Sequence, residues 1–309
     1  MENKKSKFIF LIFLFLCLFA NQGIANPSKS FIWEVKSEKT TIYLLGSVHL
    51  GKESLFPLKP VMEDAFKNSQ NLAVELDITN VNPFELIKYM TFQDTNTLQS
   101  SLNKTNYDRI AKVFKENSVP EMVYYKLKPW AAVMMAQQLG YGEKGYSAGA
   151  GIDMYFLNRA KGIGEFAKKD SAEGKPQMKN ILELETAEFQ LKLFDEFNSA
   201  SNSFVEYSME EIEDKSESNE LDSIYNYWQS GNTKEIEELI SDSQNKFPEY
   251  KNIMDNLLYK RNISMAEKID EWLGTKETYF VVVGAAHLVG SKGIVELLKK
   301  SSKFTIKQL

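Results

Sequence analysis

Two β-rich runs lie near the start of the chain, after residue 30. Phe31-Ile32-Trp33-Glu34-Val35 is followed by the polar turn Lys36-Ser37-Glu38-Lys39, and Thr40 to Leu45 then ends at Gly46, the pattern of a hairpin. Val61 to Lys67 places Val61, Met62, Ala65 and Phe66 at helical spacing, and Asn71 to Leu76 is a further apolar strand closing in Glu75-Leu76-Asp77. Strand, helix and strand in close succession predict a βαβ unit with parallel neighbours. From Pro83 to Asp270 the periodicity is helical. It predicts helices over Asn106 to Glu116, Pro129 to Leu139, Gly151 to Ala160, Leu182 to Phe197, Leu221 to Gln229 and Tyr250 to Trp272, with Ser208 to Asn219 an acidic helix face or loop. Strand character returns at Tyr279 to Val283, then a helix over Ile294 to Lys300 and a short strand at Phe304 to Ile306. The fold class expected is mixed α/β, with a partly parallel central sheet and a large helical insertion at about 83–270.

The first residues follow a different rule. Lys4, Lys5 and Lys7 precede the apolar run Phe8 to Ala20, and Gly23-Ile24-Ala25 supplies small residues before a cut, as in a secretory signal peptide. Residues 1–25 are therefore read as a signal and 26–309 as one domain. A run of 13 residues is short against the roughly 20 that span a bilayer. The expected location is periplasmic or secreted, with an uncleaved membrane anchor, and so membrane proximity, as the alternative. The residues before Cys17 are too bulky for a lipid-attachment site, and this cysteine, the only one, leaves with the signal. The mature fold would then rest on its core without disulfides.

Loss of three lysines and one glutamate with the signal takes the net charge from -5 to -7. An acidic chain with no basic block argues against nucleic acid as a partner. Five glycines between Gly140 and Gly151 read as a loop, since no strand precedes them as a phosphate cradle requires.

Chemistry concentrates on the only two histidines. Gly46-Ser47-Val48-His49-Leu50 and Gly284-Ala285-Ala286-His287-Leu288 each follow an apolar strand, with His three residues after Gly. Ligands in open α/β sheets bind beyond the carboxyl ends of strands, and a parallel βαβ unit opens Glu75 onto the same edge as His49. Two imidazoles and a carboxylate are the ligand set of many catalytic zinc sites. One such histidine alone is more often a satisfied core residue; the duplicated setting favours function. Glu75 and Asp77 share a strand face, one as ligand or base and the other supporting, or Asp77 is a turn residue.

Further blocks follow in order: Val74-Glu75-Leu76-Asp77, Lys128-Pro129-Trp130, Gly151-Ile152-Asp153, Leu184-Glu185-Thr186 with Gln190, and Arg261-Asn262, with Gly290 and Gly293 after the last histidine. With these the chain resembles the TraB/GumN family, related to the Tiki proteins, over nearly all of 26–309. The resemblance implies an active centre of the two GxxH motifs and a glutamate, a divalent metal ion, and a metal-dependent hydrolase acting on peptides, as the Tiki members do. The stretch Gly162 to Lys179 departs from it, being longer and more charged. Catalytic candidates are thus His49, Glu75, Arg261 and His287, with His49, Glu75 and His287 as metal ligands. Arg261 is either an oxyanion clamp or a structural ion pair, Glu185 either the holder of a histidine or a surface helix residue, and Asp153 either a partner of the site or a helix-start charge. Tyr124, Tyr125 and Trp130 are core or groove lining. Two other functions fit the same residues: a metal-independent His/Glu esterase, and a non-catalytic protein that captures a peptide or metal complex. The ion, the substrate and the oligomeric state are not encoded in any motif.

Overall fold

The protein is described here by a computed structural model covering residues 29–168, 176–195, 201–213, 220–246 and 255–309. The signal-peptide reading of 1–25 lies outside these residues, as do 169–175 of the charged stretch and 250–254 of the helix expected from Tyr250. Six strands form one sheet: β1 (Ile32–Lys36), β2 (Thr41–Ser47), β3 (Asn71–Val74), β4 (Asn180–Glu183), β5 (Tyr279–Gly284) and β6 (Thr305–Gln308). Their order is β4-β3-β5-β2-β1-β6. The four strands β4, β3, β5 and β2 are parallel; at one side β1 pairs antiparallel with β2, and β6 antiparallel with β1. The fold is mixed α/β.

Tyr279–Gly284 is buried at every position, as a strand covered on both faces must be. Helices Pro60–Lys67 and Ile152–Ala160 close over the sheet through three rings. Phe280 meets Phe66 at 5.5 Å and Phe156 at 4.7 Å, and Phe66 meets Phe156 at 4.9 Å. Such tilted and edge-on pairs add to plain burial. Gly46 is fixed by close packing: a Cβ there would run into the Phe31 ring and the Ala285 backbone.

One topological expectation needs correction. β2 and β3 are parallel, but they are not neighbours. β5 lies between them and pairs with both, Leu44 and Ala73 each opposing Val281. Being the most continuously apolar strand, β5 takes the most buried slot. This insertion sets the carboxyl ends of β3, β5 and β2 side by side.

The stretch 83–270 contains a strand, β4, where the periodicity reads the beginning of a helix at Leu182. Only Ile181 and Leu182 form its apolar part, and two such residues fit either element. The helix starts instead at Ala187, capped by Thr186, and runs to Phe194. Helices Pro83–Met90, Ser201–Glu213 and Thr233–Lys246 add to those expected. The last expected helix is split: a wide π-helical turn, Asp255–Lys260, precedes helix Arg261–Leu273. Among the described residues no helix is long and apolar enough to cross a membrane.

Candidate active site

Glu75, His287 and His49 follow β3, β5 and β2 in spatial order, and the three side chains meet in front of Gly284. A Cβ built on Gly284 would stand 3.4 Å from Glu75 Oε1, 3.5 Å from His287 Cδ2 and 3.7 Å from His49 Nε2. The sequence separates the two histidines by most of the chain; the parallel pairing of β2 with β5 removes that separation. The two motifs are nevertheless out of step by one residue, since Ser47, not Gly46, opposes Gly284. After Gly284 the chain turns at once into the short helix Ala285–Leu288, whereas β2 continues through Ser47.

Each histidine is held by its Nδ1. His49 Nδ1 lies 2.7 Å from Asp153 Oδ2, and Ser47 Oγ donates to Asp153 Oδ1 at 2.7 Å. Asp153 sits in the first turn of helix Ile152–Ala160, where a carboxylate is favoured by the helix dipole in any case. Its side chain is nonetheless spent on the site, so the helix-start reading of Asp153 is incomplete. His287 Nδ1 lies 2.6 Å from Asn262 Oδ1, while Asn262 Nδ2 donates to the Lys292 carbonyl at 2.9 Å. That second bond fixes the amide and leaves Oδ1 as an acceptor. His287 Nδ1 therefore carries the hydrogen, and its Nε2 presents a lone pair 3.6 Å from Glu75 Oε1.

Glu75 is gripped from three sides. The Gly284 amide donates to Oε1 at 2.7 Å, Arg261 Nη2 to Oε2 at 2.5 Å, and Gln190 Nε2 approaches Oε2 at 3.4 Å. Arg261 also forks onto Glu185, with Nε at 2.8 and 3.0 Å from its oxygens and Nη2 at 2.6 Å, and Nη1 donates to the Leu257 carbonyl of the π-helical turn. Each of its three nitrogens thus donates to Glu75, Glu185 or that carbonyl. Arg261 reaches the centre through Glu75, and four of its five N–H groups are taken up by Glu75, Glu185 and the Leu257 carbonyl, the pattern of the ion-pair alternative. Glu185 is buried at the end of β4, not on a helix surface, and it holds Arg261 rather than a histidine. Asp77 is a turn residue after the strand: it caps the turn Ile78–Asn80 through the Thr79 amide and pairs with Lys161.

The loop carrying His49 is clamped by helix Glu220–Gln229. Trp228 Nε1 donates to the Gly46 carbonyl at 2.5 Å, the Tyr225 hydroxyl to the Leu50 carbonyl, and Asp222 pairs with Lys52. Trp130, with Lys128, bonds Asp195 and stacks on Phe194, so the Lys-Pro-Trp block pins helix Ala187–Phe194 rather than lining a groove. Tyr124 is core, and Tyr125 is exposed.

The electrostatics separate the two imidazoles. Burial alone lowers the proton affinity of His49, but the Asp153 carboxylate on its Nδ1, helped by Glu75, raises its pKa to about 9. Burial lowers that of His287 too; Glu75 opposes this, but Arg261 and His49 reinforce it, and the pKa falls to about 3. Burial resists ionisation of Glu75, yet His287, Arg261, His49 and the Gly284 amide hold it down at about 2. The raised pKa of His49 has a measurable sign. A histidine bound more tightly to its proton when folded stabilises the fold fully below the unfolded value near 6.5, and this stability is lost as pH rises through about 9. Urea midpoints of chelator-treated protein should therefore fall between pH 6.5 and 9, and stay flatter in His49→Gln. Equal slopes for the two proteins would contradict the His49–Asp153 pairing.

Among the described residues, no group of three His, Cys, Asp or Glu side chains already stands in ion-holding geometry. The donors nevertheless fit a cation. His287 Nε2 and Glu75 Oε1 are two lone-pair atoms facing one another with no proton between them, and His49 Nε2 is turned to the same point over a residue without a side chain. Two imidazole nitrogens and one carboxylate suit zinc or a similar divalent ion.

Known proteins extend the picture. The uncharacterized protein YbaP of Escherichia coli (strain K12) is 23% identical over 268 residues, covering 83% of this chain and 87% of that protein, and YbaP of Shigella flexneri matches equally. A metalloprotease TIKI homolog of Amphimedon queenslandica is 22% identical over 325 residues, covering 88% of this chain and 60% of that protein. No solved structure matches the chain. The TraB/PrgY/gumN family model matches residues 31–308, which takes in all six strands and every residue of the centre. The chain therefore belongs to the TraB/PrgY/gumN family.

Proposed function

We propose that the protein is an exported, metal-dependent hydrolase that cleaves peptide bonds. The observation that carries this reading is the convergence of His49 Nε2, His287 and Glu75 Oε1 on the open face of Gly284. The likeness to a metalloprotease TIKI homolog supports it. His49, His287 and Glu75 would hold the ion, and the ion when bound would supply Lewis acidity to water and to the scissile carbonyl. Glu75, kept ionised far below neutrality, is a weak base and suits the part of ligand better than that of proton acceptor. Arg261 and the Gly284 amide keep its carboxylate aimed, and Glu185 keeps Arg261 in place.

The test pairs metal analysis of the purified protein with a peptide-library digest by wild type and His287→Ala. Near-stoichiometric divalent metal in wild type, with cleavage lost on chelation and in the variant, is the expected result. Protein that neither retains nor responds to any divalent ion removes the metal. A second reading rests on the His49–Asp153 pair, which is in place without an ion. As an imidazolium below about pH 9, His49 has a proton to give to a leaving group. Cleavage of an ester or peptide that survives chelation but not His49→Ala selects that reading.

A further inference from the structure

We propose, building on the hydrolase reading above, that Asp153 and Asn262 are positioning residues that grip the two histidines by Nδ1 and so aim both Nε2 atoms at the point in front of Gly284. The two motifs differ in the residue after glycine, and this difference explains their different partners. The first has Ser47, whose hydroxyl fixes one oxygen of Asp153 while the other takes His49 Nδ1. The second has Ala285, which offers no such group, and His287 draws its partner from helix Arg261–Leu273 instead. Asn262 is itself fully buried and oriented by the Lys292 carbonyl.

A neutral imidazole whose Nδ1–H is tied to an acceptor keeps its lone pair on Nε2, and at His49 an ion would take the place of the Nε2 proton. A carboxylate acceptor raises the donor strength of the ring more than a neutral amide does. The two histidines are therefore unequal. His49 is backed by a charge and its side chain is 36% exposed; His287 is backed by an amide and is 5% exposed. Asp153 is expected to have the larger effect on ion affinity, and Asn262 to decide which tautomer His287 adopts. Neither contribution touches the reacting atoms directly.

The experiment uses zinc alone as the probe, titrated against a competing chelator, on wild type, Asp153→Asn, Asp153→Ala and Asn262→Ala. Affinity should fall by about 100-fold in Asp153→Ala and by about 10-fold in Asn262→Ala, the span typical of partners that orient ligand histidines. Asp153→Asn keeps an acceptor oxygen and nearly the same shape, so it should recover part of the loss, and it serves where the alanine variant does not fold. A mere helix-start charge would lower the melting temperature of Asp153→Ala while leaving zinc affinity within twofold, which would overturn the assignment. A second readout needs no ion. With only two histidines in the chain, nitrogen-15 histidine spectra of untagged, metal-free protein can be assigned with one variant. His287 should be neutral and protonated on Nδ1, and Asn262→Ala should spread the proton over both nitrogens. An unchanged His287 tautomer would overturn the role of Asn262. Failure of wild type to bind zinc would instead defeat the metal reading, and the spectrum would still judge the positioning.

Discussion

Gly284→Ala is expected to fold at least as stably as wild type and to lose metal uptake and hydrolysis. The backbone at Gly284 lies at φ -51° and ψ 138°, a region open to any L-residue. The added methyl would meet Glu75 Oε1, His287 Cδ2 and His49 Nε2 at 3.4 to 3.7 Å, ordinary contact distances that demand no movement. At a compatible site, exchange of glycine for alanine stabilises by about 0.4–1 kcal/mol through the unfolded chain. The same methyl occupies the space the three groups share, which is where an ion and a reacting water would have to sit. Misplacement by a single ångström can cost about 100-fold in rate, and complete filling should cost more. Urea unfolding, zinc titration and the peptide digest check the two halves together. A variant that still binds zinc and cleaves within tenfold of wild type would place the centre elsewhere.

Arg261→Met is expected to be the most destabilising single change at the site. Arg261 is buried between Glu75 and Glu185, and its removal leaves both carboxylates without the guanidinium, held among the described residues by the Gly284 amide and Gln190. Breaking a buried ion pair from one side costs about 3–5 kcal/mol, because the stranded charge cannot return to water. The two acids make the upper part of that range the expected value. Adding Glu185→Gln to Arg261→Met should restore a measurable part, since it removes one of the uncompensated charges. Denaturant unfolding of the single and double variants measures both. A loss below about 1 kcal/mol for Arg261→Met, or no recovery in the double variant, would mean that water reaches this cluster freely and that Arg261 does not hold Glu75.

The histidines and Glu75 were legible in the sequence because a strand ending in glycine with histidine three residues later is a local pattern, and locality is what a sequence displays. Their partners were less so. Asp153 looks like any acidic residue in a first helical turn, and only the path of the His49 loop shows that its side chain is drawn away from the helix. Asn262 stands next to an arginine that attracts attention for its charge, and its role depends on the Lys292 carbonyl thirty residues later. Glu185 follows a strand with two apolar residues, too few to separate from a helix start, so its burial could not be foreseen. The mixed sheet was readable from the alternating strand and helix patterns. The place of β5 was not, because pairing order is decided by which strand tolerates cover on both faces.

That place has a consequence for the order of assembly. β2 and β3 come early in the chain, but the slot between them stays vacant until Tyr279–Gly284 has been made, and β1 waits for Thr305–Gln308 from the last residues. Joining segments so far apart in sequence carries a large loop-closure cost and slows folding. The cluster of His49, Glu75 and His287 is thus a late product of folding. A nascent chain has no means of assembling it before the segment that ends in His287 has been made.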